Sequence, residues 1–197
     1  MEKGKLIVFY GINNLGKTTQ AEMLVDWLNA NGINAVYLKY PVYYLAPSGS
    51  RINAYLREGN PENLTPKQFQ ELQVENRISY EPILQQKLEN GLWVIAEDYV
   101  GTGIAWGVGA GIDQDYLEKI NSPLLKEDFA FFFDGERFTS GIEKGHTHEQ
   151  NNELTEKVRK VHQELAKKHD WVPINANASI EEIHATIKNI ILNKLKL

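Results

Sequence analysis

The sequence predicts an α/β domain built on a parallel sheet with helices on both faces. Three observations predict it. Short apolar runs rich in β-branched and aromatic residues alternate with stretches of helical periodicity along the whole chain. The runs are apolar throughout, as strands buried on both faces are. The first run leads directly into a glycine-framed turn and then a helix.

Residues 6–10, LIVFY, read as the first strand. Ala21, Leu24, Val25 and Leu28 recur at helical spacing within 17–30, and Asn31-Gly32 ends that helix. A second strand is expected over 34–39, ended by Pro41. Two prolines, serines and a glycine make 41–50 a loop, followed by a short helix over 52–57. Thr65 as N-cap and Pro66 at the first helical position open a long helix to about residue 90, with a kink expected at Pro82. LWVIA at 92–96 is a third strand, ending in Glu97-Asp98. Five glycines in 100–111 predict a flexible loop or a helix entry. A helix over 113–120 and an aromatic strand over 129–133 follow. Residues 134–150 are polar, glycine-containing and aperiodic, which reads as a lid. A helix over 153–169, a strand over 171–174 and a helix over 179–195 complete the chain. Ser179 caps the last helix, with Glu181 and Glu182 in its first turn, where the helix dipole favours acids. No repeat, low-complexity tract or linker divides the chain, so one domain over 1–197 is expected.

The 197 residues suffice for one full core, and the hydrophobic and charged fractions of 42% and 24% are those of a globular protein. A net charge of −5 argues against extended nucleic acid as a partner, which calls for a basic face. A small anion remains compatible, because a helix N-terminus and a few cations suffice to hold one. The chain has no cysteine, which excludes disulfides, thiolate metal sites and cysteine nucleophiles. No apolar run approaches the roughly 20 residues needed to span a bilayer, and the N-terminus does not read as a signal peptide. A cytoplasmic location, away from membranes, is the expectation.

Gly11-Ile-Asn-Asn-Leu-Gly16-Lys17-Thr18 matches G-x-x-x-x-G-K-[ST] in full, between a strand and a helix, which is the context the motif requires. Glycines let the backbone wrap phosphate with its N–H groups. Gly11, Asn13, Asn14, Gly16, Lys17, Thr18 and Thr19 are therefore expected to hold the phosphates of a purine nucleoside triphosphate, with ATP the expected donor. Lys17 supplies a mobile charge to the β- and γ-phosphates, and the Thr18 hydroxyl can ligate Mg²⁺. Asp98 to Gly101 spells D-x-x-G, as in GTPases, but the N-K-x-D guanine reader is missing after the aromatic strand, where Asp134-Gly135-Glu136 stands.

Further motifs make the chain resemble the thymidylate kinases among nucleoside monophosphate kinases, over nearly its whole length. FYGINNLGKTTQ (9–20) is similar to that family's F-E-G-x-D-x-x-G-K-[ST]-T-Q. Lys39-Tyr40-Pro41 stands at its R-F-P, and 47–59 at its acceptor loop and short helix. Asn76-Arg77 matches its N-R, VIAEDYV (94–100) its V-I-x-D-R-Y-V, and AWGVGAGID (105–113) its A-Y-Q-G-x-G-R-G-I-D. The resemblance implies a three-layer fold with a five-stranded parallel sheet in the order 2-3-1-4-5 and a short lid. It implies transfer of the ATP γ-phosphoryl group to a deoxynucleoside monophosphate such as dTMP, with Mg²⁺, in a homodimer.

Residue by residue, the resemblance assigns Lys39 and Arg77, with Arg51, to the acceptor phosphate. It places Glu97 at Mg²⁺ and Tyr99 and Trp106 in the nucleoside pocket. Gln73 and Asp98 fall at further acceptor-site positions. Arg137 and Lys144 lie in the lid, where they can close over the ATP phosphates. His146 and His148 form H-x-H in the same loop and read as surface. The departures from the family also fall on chemistry. Its P-loop Asp is Asn13, the Glu before the first glycine is Tyr10, and its D-R is Glu97-Asp98. The arginine of G-R-G is Ala110, the thymine-stacking aromatic is Gln73, and the first acceptor arginine is Lys39, which lacks a bidentate fork. Losing two charge-assisted contacts to phosphate would cost about two to four decades in rate if nothing replaced them. Two alternatives follow. One is a deoxynucleoside kinase, with Glu97 as general base and Gln70 or Gln73 on the base edge. The other is a catalytically weak nucleotide-binding homologue.

Overall fold

The computed structural model describes residues 2–138 and 152–195. The elements run β1 (Leu6–Tyr10), α1 (Lys17–Ala30), β2 (Ala35–Lys39), α2 (Ser48–Arg57), α3 (Pro66–Glu89), β3 (Trp93–Glu97), α4 (Val100–Gly109), α5 (Gln114–Asn121), β4 (Phe129–Asp134), α6 (Asn152–Lys168), β5 (Val172–Asn175) and α7 (Ile180–Leu195). The five strands are all parallel, in the order β2-β3-β1-β4-β5. That is the strand order the resemblance implies.

β1 is central and buried at every residue, which is why LIVFY carries no polar alternation. Phe9 sets its ring edge-on to Phe131 at 5.3 Å and tilted on Phe133 at 5.1 Å, locking β1 to β4. Tyr10 stacks on Trp171 at 4.0 Å and is fully buried. The position thus serves the core between β1 and β5.

The caps read at Thr65 and Ser179 hold, and Asp113, read as part of its helix, is a third. Thr65 and Gln68 form a reciprocal capping box at α3 with Pro66 behind it. Asp113 caps α5 through the Tyr116 amide at 2.9 Å. Ser179 and Glu182 exchange bonds at the start of α7. α3 continues through Pro82 to Glu89. The missing N–H leaves the Ile78 carbonyl without its helical donor, and Ile78 lies on the exposed side of the helix, where water can serve it.

Two elements differ from the sequence reading. α2 begins at Ser48, inside the segment read as a loop. The buried Ser48 hydroxyl accepts from Asn76 Nδ2 at 2.9 Å, and Gly49 packs so closely on the Tyr43 carbonyl that a Cβ would lie 2.1 Å from it. Packing onto α3 thus starts the helix a turn early. The glycine-rich 100–109 is a regular helix, α4, with Gly101, Gly103 and Gly107 all buried. Its glycines are contact points: a Cβ on Gly101 would meet Trp171, on Gly103 Arg77, on Gly107 Leu117 and on Gly109 Val158. Close packing on several sides outweighs the intrinsic cost of glycine in a helix. Most of the lid segment, 139–150, lies outside the described residues, as do Lys144, His146 and His148.

Candidate active site

The carboxyl ends of β1, β2 and β3 deliver the P-loop, Lys39 and Glu97 to one edge of the sheet, where ligands bind in open parallel sheets. A cleft of about 450 Å³ opens there. Asn13, Asn14, Gly16, Lys17, Thr18 and Thr19 line one part of it, and Lys39, Gln73, Arg77 and Trp106 another, with Glu97 and Asp98 also on its wall.

The turn after β1 needs left-handed backbone at Asn14 (φ 62°) and Gly16 (φ 77°), residues that tolerate it. Gly16 is the N-cap of α1, and no side chain caps the helix. Its first amides and dipole are therefore aimed at the cleft. Lys17 Nζ donates to the carbonyls of Gly11 at 3.1 Å and Ile12 at 2.8 Å, and it lies 3.6 Å from Asp98 Oδ1. Gly11 itself sits behind the loop: a Cβ there would lie 2.5 Å from the Phe133 carbonyl, so the glycine serves the approach of the turn to β4.

Glu97 gathers the opposite charges. Its Oε2 accepts from the Thr18 hydroxyl at 2.7 Å and the Tyr37 hydroxyl at 2.6 Å, and its Oε1 pairs with Lys39 Nζ at 3.1 Å. Burial opposes ionisation of this carboxyl. Lys17 and Lys39, helped by the two hydroxyls, outweigh it and hold Glu97 below the usual carboxylate range. Burial likewise opposes charge on Lys39, but Glu97 and Asp98 raise it above an ordinary lysine. Burial pushes the Asp98 carboxyl up; Lys17 pulls it down, Glu97 adds to the rise, and the net direction is upward. Asp98 has φ 62°, and its Oδ1 accepts from Thr102 at 3.2 Å.

Arg77 is 2% exposed and donates from Nη1 to Asn121 at 3.2 Å, its guanidinium lying against Gly103. The neighbouring Asn76 grips the backbone of Val42, accepting from its N–H and donating to its carbonyl. The N-R pair thus has divided roles: Asn76 braces the loop after β2, and Arg77 reaches the cleft.

Arg51, Tyr99 and Gln70, all read as site residues, lie elsewhere. Arg51 forks onto Glu62 at 2.7–3.0 Å on the exposed side of α2 and does not line the cleft. Tyr99 is fully buried behind it, its hydroxyl donating to Glu81 at 3.3 Å and its ring packed on Tyr40 at 5.0 Å. Its position right after Asp98 put it in the strand-end motif, but the chain turns it inward. Gln70 is buried against α4 and is also not a cleft residue. Arg137 lies beside the cleft without lining it. Its Nη1 donates to Thr155 Oγ1 at 3.5 Å, while the next residue, Phe138, lines the P-loop end and bonds its amide to the Asn14 carbonyl at 2.9 Å.

Sequence reasoning missed Arg57 and Tyr43, both on the cleft wall. A signal existed. With about 100° between successive helix residues, Arg51 and Arg57 flank the buried Ile52–Leu56 stripe on opposite sides, so one faces the cleft and the other does not.

Among the described residues, no group of three or more His, Asp or Glu side chains could enclose a metal. The adjacent Thr18 hydroxyl and Glu97 carboxylate are hard oxygen donors beside a phosphate loop. They fit Mg²⁺, which takes few protein ligands and completes its shell with water and phosphate.

A thymidylate kinase family model matches residues 9–187. The thymidylate kinase of Trichodesmium erythraeum is 31% identical, over 98% of this chain and 96% of that protein. That of Dictyostelium discoideum is 28% identical, over 100% of this chain and 88% of that protein. Among solved structures, a thymidylate kinase from Candida albicans superposes with a TM-score of 0.83 at 22% identity, covering 98% of this chain and 92% of that one.

Proposed function

This chain belongs to the thymidylate kinase family, and on that premise we propose how its cleft carries out transfer of the ATP γ-phosphoryl group to dTMP or a related deoxynucleoside monophosphate. It is an ATP-dependent nucleoside monophosphate kinase. The observation that carries the reading is that the phosphate loop and the cations Lys39 and Arg77 line one continuous cleft. Those two cations suit a charged acceptor. Neither the deoxynucleoside kinase nor the binding-only alternative is favoured by the family.

Phosphoryl transfer is mainly positioning and charge neutralisation. The α1 amides and Lys17 take the β- and γ-phosphates of ATP. To do so, Lys17 exchanges the Gly11 and Ile12 carbonyls for phosphate oxygens. Lys39 and Arg77 hold the acceptor phosphate, one of whose oxygens attacks the γ-phosphorus. The bond to the β-phosphate oxygen breaks, and ADP departs with that electron pair. The attacking oxygen is already anionic, so no general base is needed. Thr18 and Glu97 would hold Mg²⁺, which supplies neutralisation of the phosphate charge. Glu97 also orients Lys39. Trp106 and Gln73 wall the nucleoside, and Arg137 guards the donor end.

We further infer a homodimer, as expected of the family, for which Ile78 and Ile83 on α3 offer exposed apolar surface. A cytoplasmic setting accords with the absence of cysteine. No described helix is long and apolar enough to cross a membrane. The whole chain forms one kinase domain.

The test follows ADP release from ATP and Mg²⁺ with dTMP, then other monophosphates, then nucleosides. dTMP-dependent release is expected. Release with thymidine but not dTMP would overturn the reading.

A further inference from the structure

We propose that Arg57, set on the Tyr43 ring, is a binding residue for the acceptor's phosphate. The inference rests on the monophosphate-kinase reading above and adds a residue to it. A nucleoside monophosphate carries a charge approaching −2 near neutral pH, and the cleft must neutralise it beside two carboxylates of its own, Glu97 and Asp98. Of the cations on the wall, Lys17 belongs to the donor loop, and Lys39, assigned above to the acceptor, shares its charge with Glu97 at 3.1 Å. Arg77 remains from α3. Arg57 is the fourth, delivered by the last residue of α2.

Its setting is that of a held fork. The guanidinium carbon lies 5.1 Å from the centre of the Tyr43 ring, Nη1 donates to the Tyr43 hydroxyl at 3.0 Å, and Asn53, one turn back, accepts from it at 3.2 Å. Tyr43 itself lines the cleft. Contacts from a ring face, a hydroxyl and an amide fix where the guanidinium sits before any ligand arrives, so little side-chain entropy is lost on binding. The segment bearing Tyr43 is itself braced by Asn76 through Val42. The competing account is that Arg57 serves only as a cation at the C-terminus of α2.

Calorimetry on the full chain separates the two, with dTMP and thymidine as ligands to the wild type, Arg57→Met and Arg57→Lys. The methionine keeps much of the apolar stem. The lysine keeps the charge without the fork, and it carries the test if the methionine variant does not fold. Wild-type protein is expected to bind dTMP more tightly than thymidine. Arg57→Met is expected to lose about tenfold or more of its dTMP affinity, the scale of one charge-assisted contact, with thymidine affinity unchanged. Arg57→Lys is expected to fall between. An unchanged ratio of dTMP to thymidine affinity in the variants would overturn the proposal, as would a wild type that does not distinguish the two ligands. If the wild type fails to turn over dTMP yet loses phosphate-dependent affinity with Arg57, the reaction reading falls while the Arg57 site stands.

Discussion

Lys39 and Glu97 are register partners at the carboxyl ends of β2 and β3, and their side chains close on each other at 3.1 Å. The same carboxylate receives Thr18 from the phosphate loop. One buried acid thus links the phosphate loop to the cation proposed for the acceptor.

Replacing Lys39 with Met is therefore expected to act on the acceptor. kcat/KM for dTMP should fall about tenfold or more, with KM for ATP little changed, and Lys39→Arg should restore part of the loss. Because Lys39 is 47% exposed, the stability cost is discounted for solvent to about 1 kcal/mol. Steady-state kinetics with each substrate varied checks this.

Lys17→Ala should remove the mobile charge from the phosphate loop. Turnover is expected to drop by about two decades or more, with loss of ATP binding by calorimetry. Full ATP affinity in a folded Lys17→Ala protein would count against the loop as the donor site.

Glu97→Gln keeps the acceptor oxygen for Thr18 and Tyr37 but removes the charge. Activity is expected to fall about 10–100-fold, with more Mg²⁺ needed for half-maximal rate. A metal titration of initial rates distinguishes this from a purely structural loss, which would leave the Mg²⁺ midpoint in place.

Gly103→Ala places a Cβ 2.4 Å from Arg77 Nη2, so the guanidinium, the far end of a flexible side chain, must move. The substitution favours the helix by up to about 1 kcal/mol, so the fold should hold while Arg77 shifts. KM for the acceptor is expected to rise about tenfold, with ATP binding intact.

His162 is fully buried; its Nδ1 donates to the Val158 carbonyl at 3.0 Å and its ring stacks parallel to Phe132. Burial holds its pKa down at about 3, so below the ordinary histidine value the unfolded chain takes up a proton that the folded chain refuses. Stability from this group is complete above about pH 6.5 and is lost by about 1.4 kcal/mol per unit as pH falls toward 3. His184, also depressed by burial and by Lys188, contributes in the same direction. Urea denaturation between pH 7.5 and 5 should show the slope, and His162→Gln should flatten it.

Much of the fold was legible because its signals are local. The apolar runs, the Thr65–Gln68 capping box and the phosphate-loop turn each involve residues within a few positions of one another. α4 was not legible, because the helix is enforced by Trp171, Arg77, Leu117 and Val158, which reach its glycines from distant segments. The site divides the same way. Lys17, Thr18, Glu97, Lys39 and Arg77 were named from motifs and do line the cleft. Arg51 and Tyr99, read from their motif neighbourhood, and Gln70, read only under the deoxynucleoside-kinase alternative, do not.

The amino-acid sequence by itself determined that a glycine-framed G-x-x-x-x-G-K-T loop follows the first strand and that strands and helices alternate, since backbone geometry and apolar periodicity are written in neighbouring residues. Only the tertiary structure decided which charges meet. It turned Arg51 out to Glu62 and Arg57 in over Tyr43, and it set Glu97 between Thr18 and Lys39. The reason is physical. Which way a side chain faces at a cleft depends on how helices pack on the sheet, and on the cost of burying each charge without its partner.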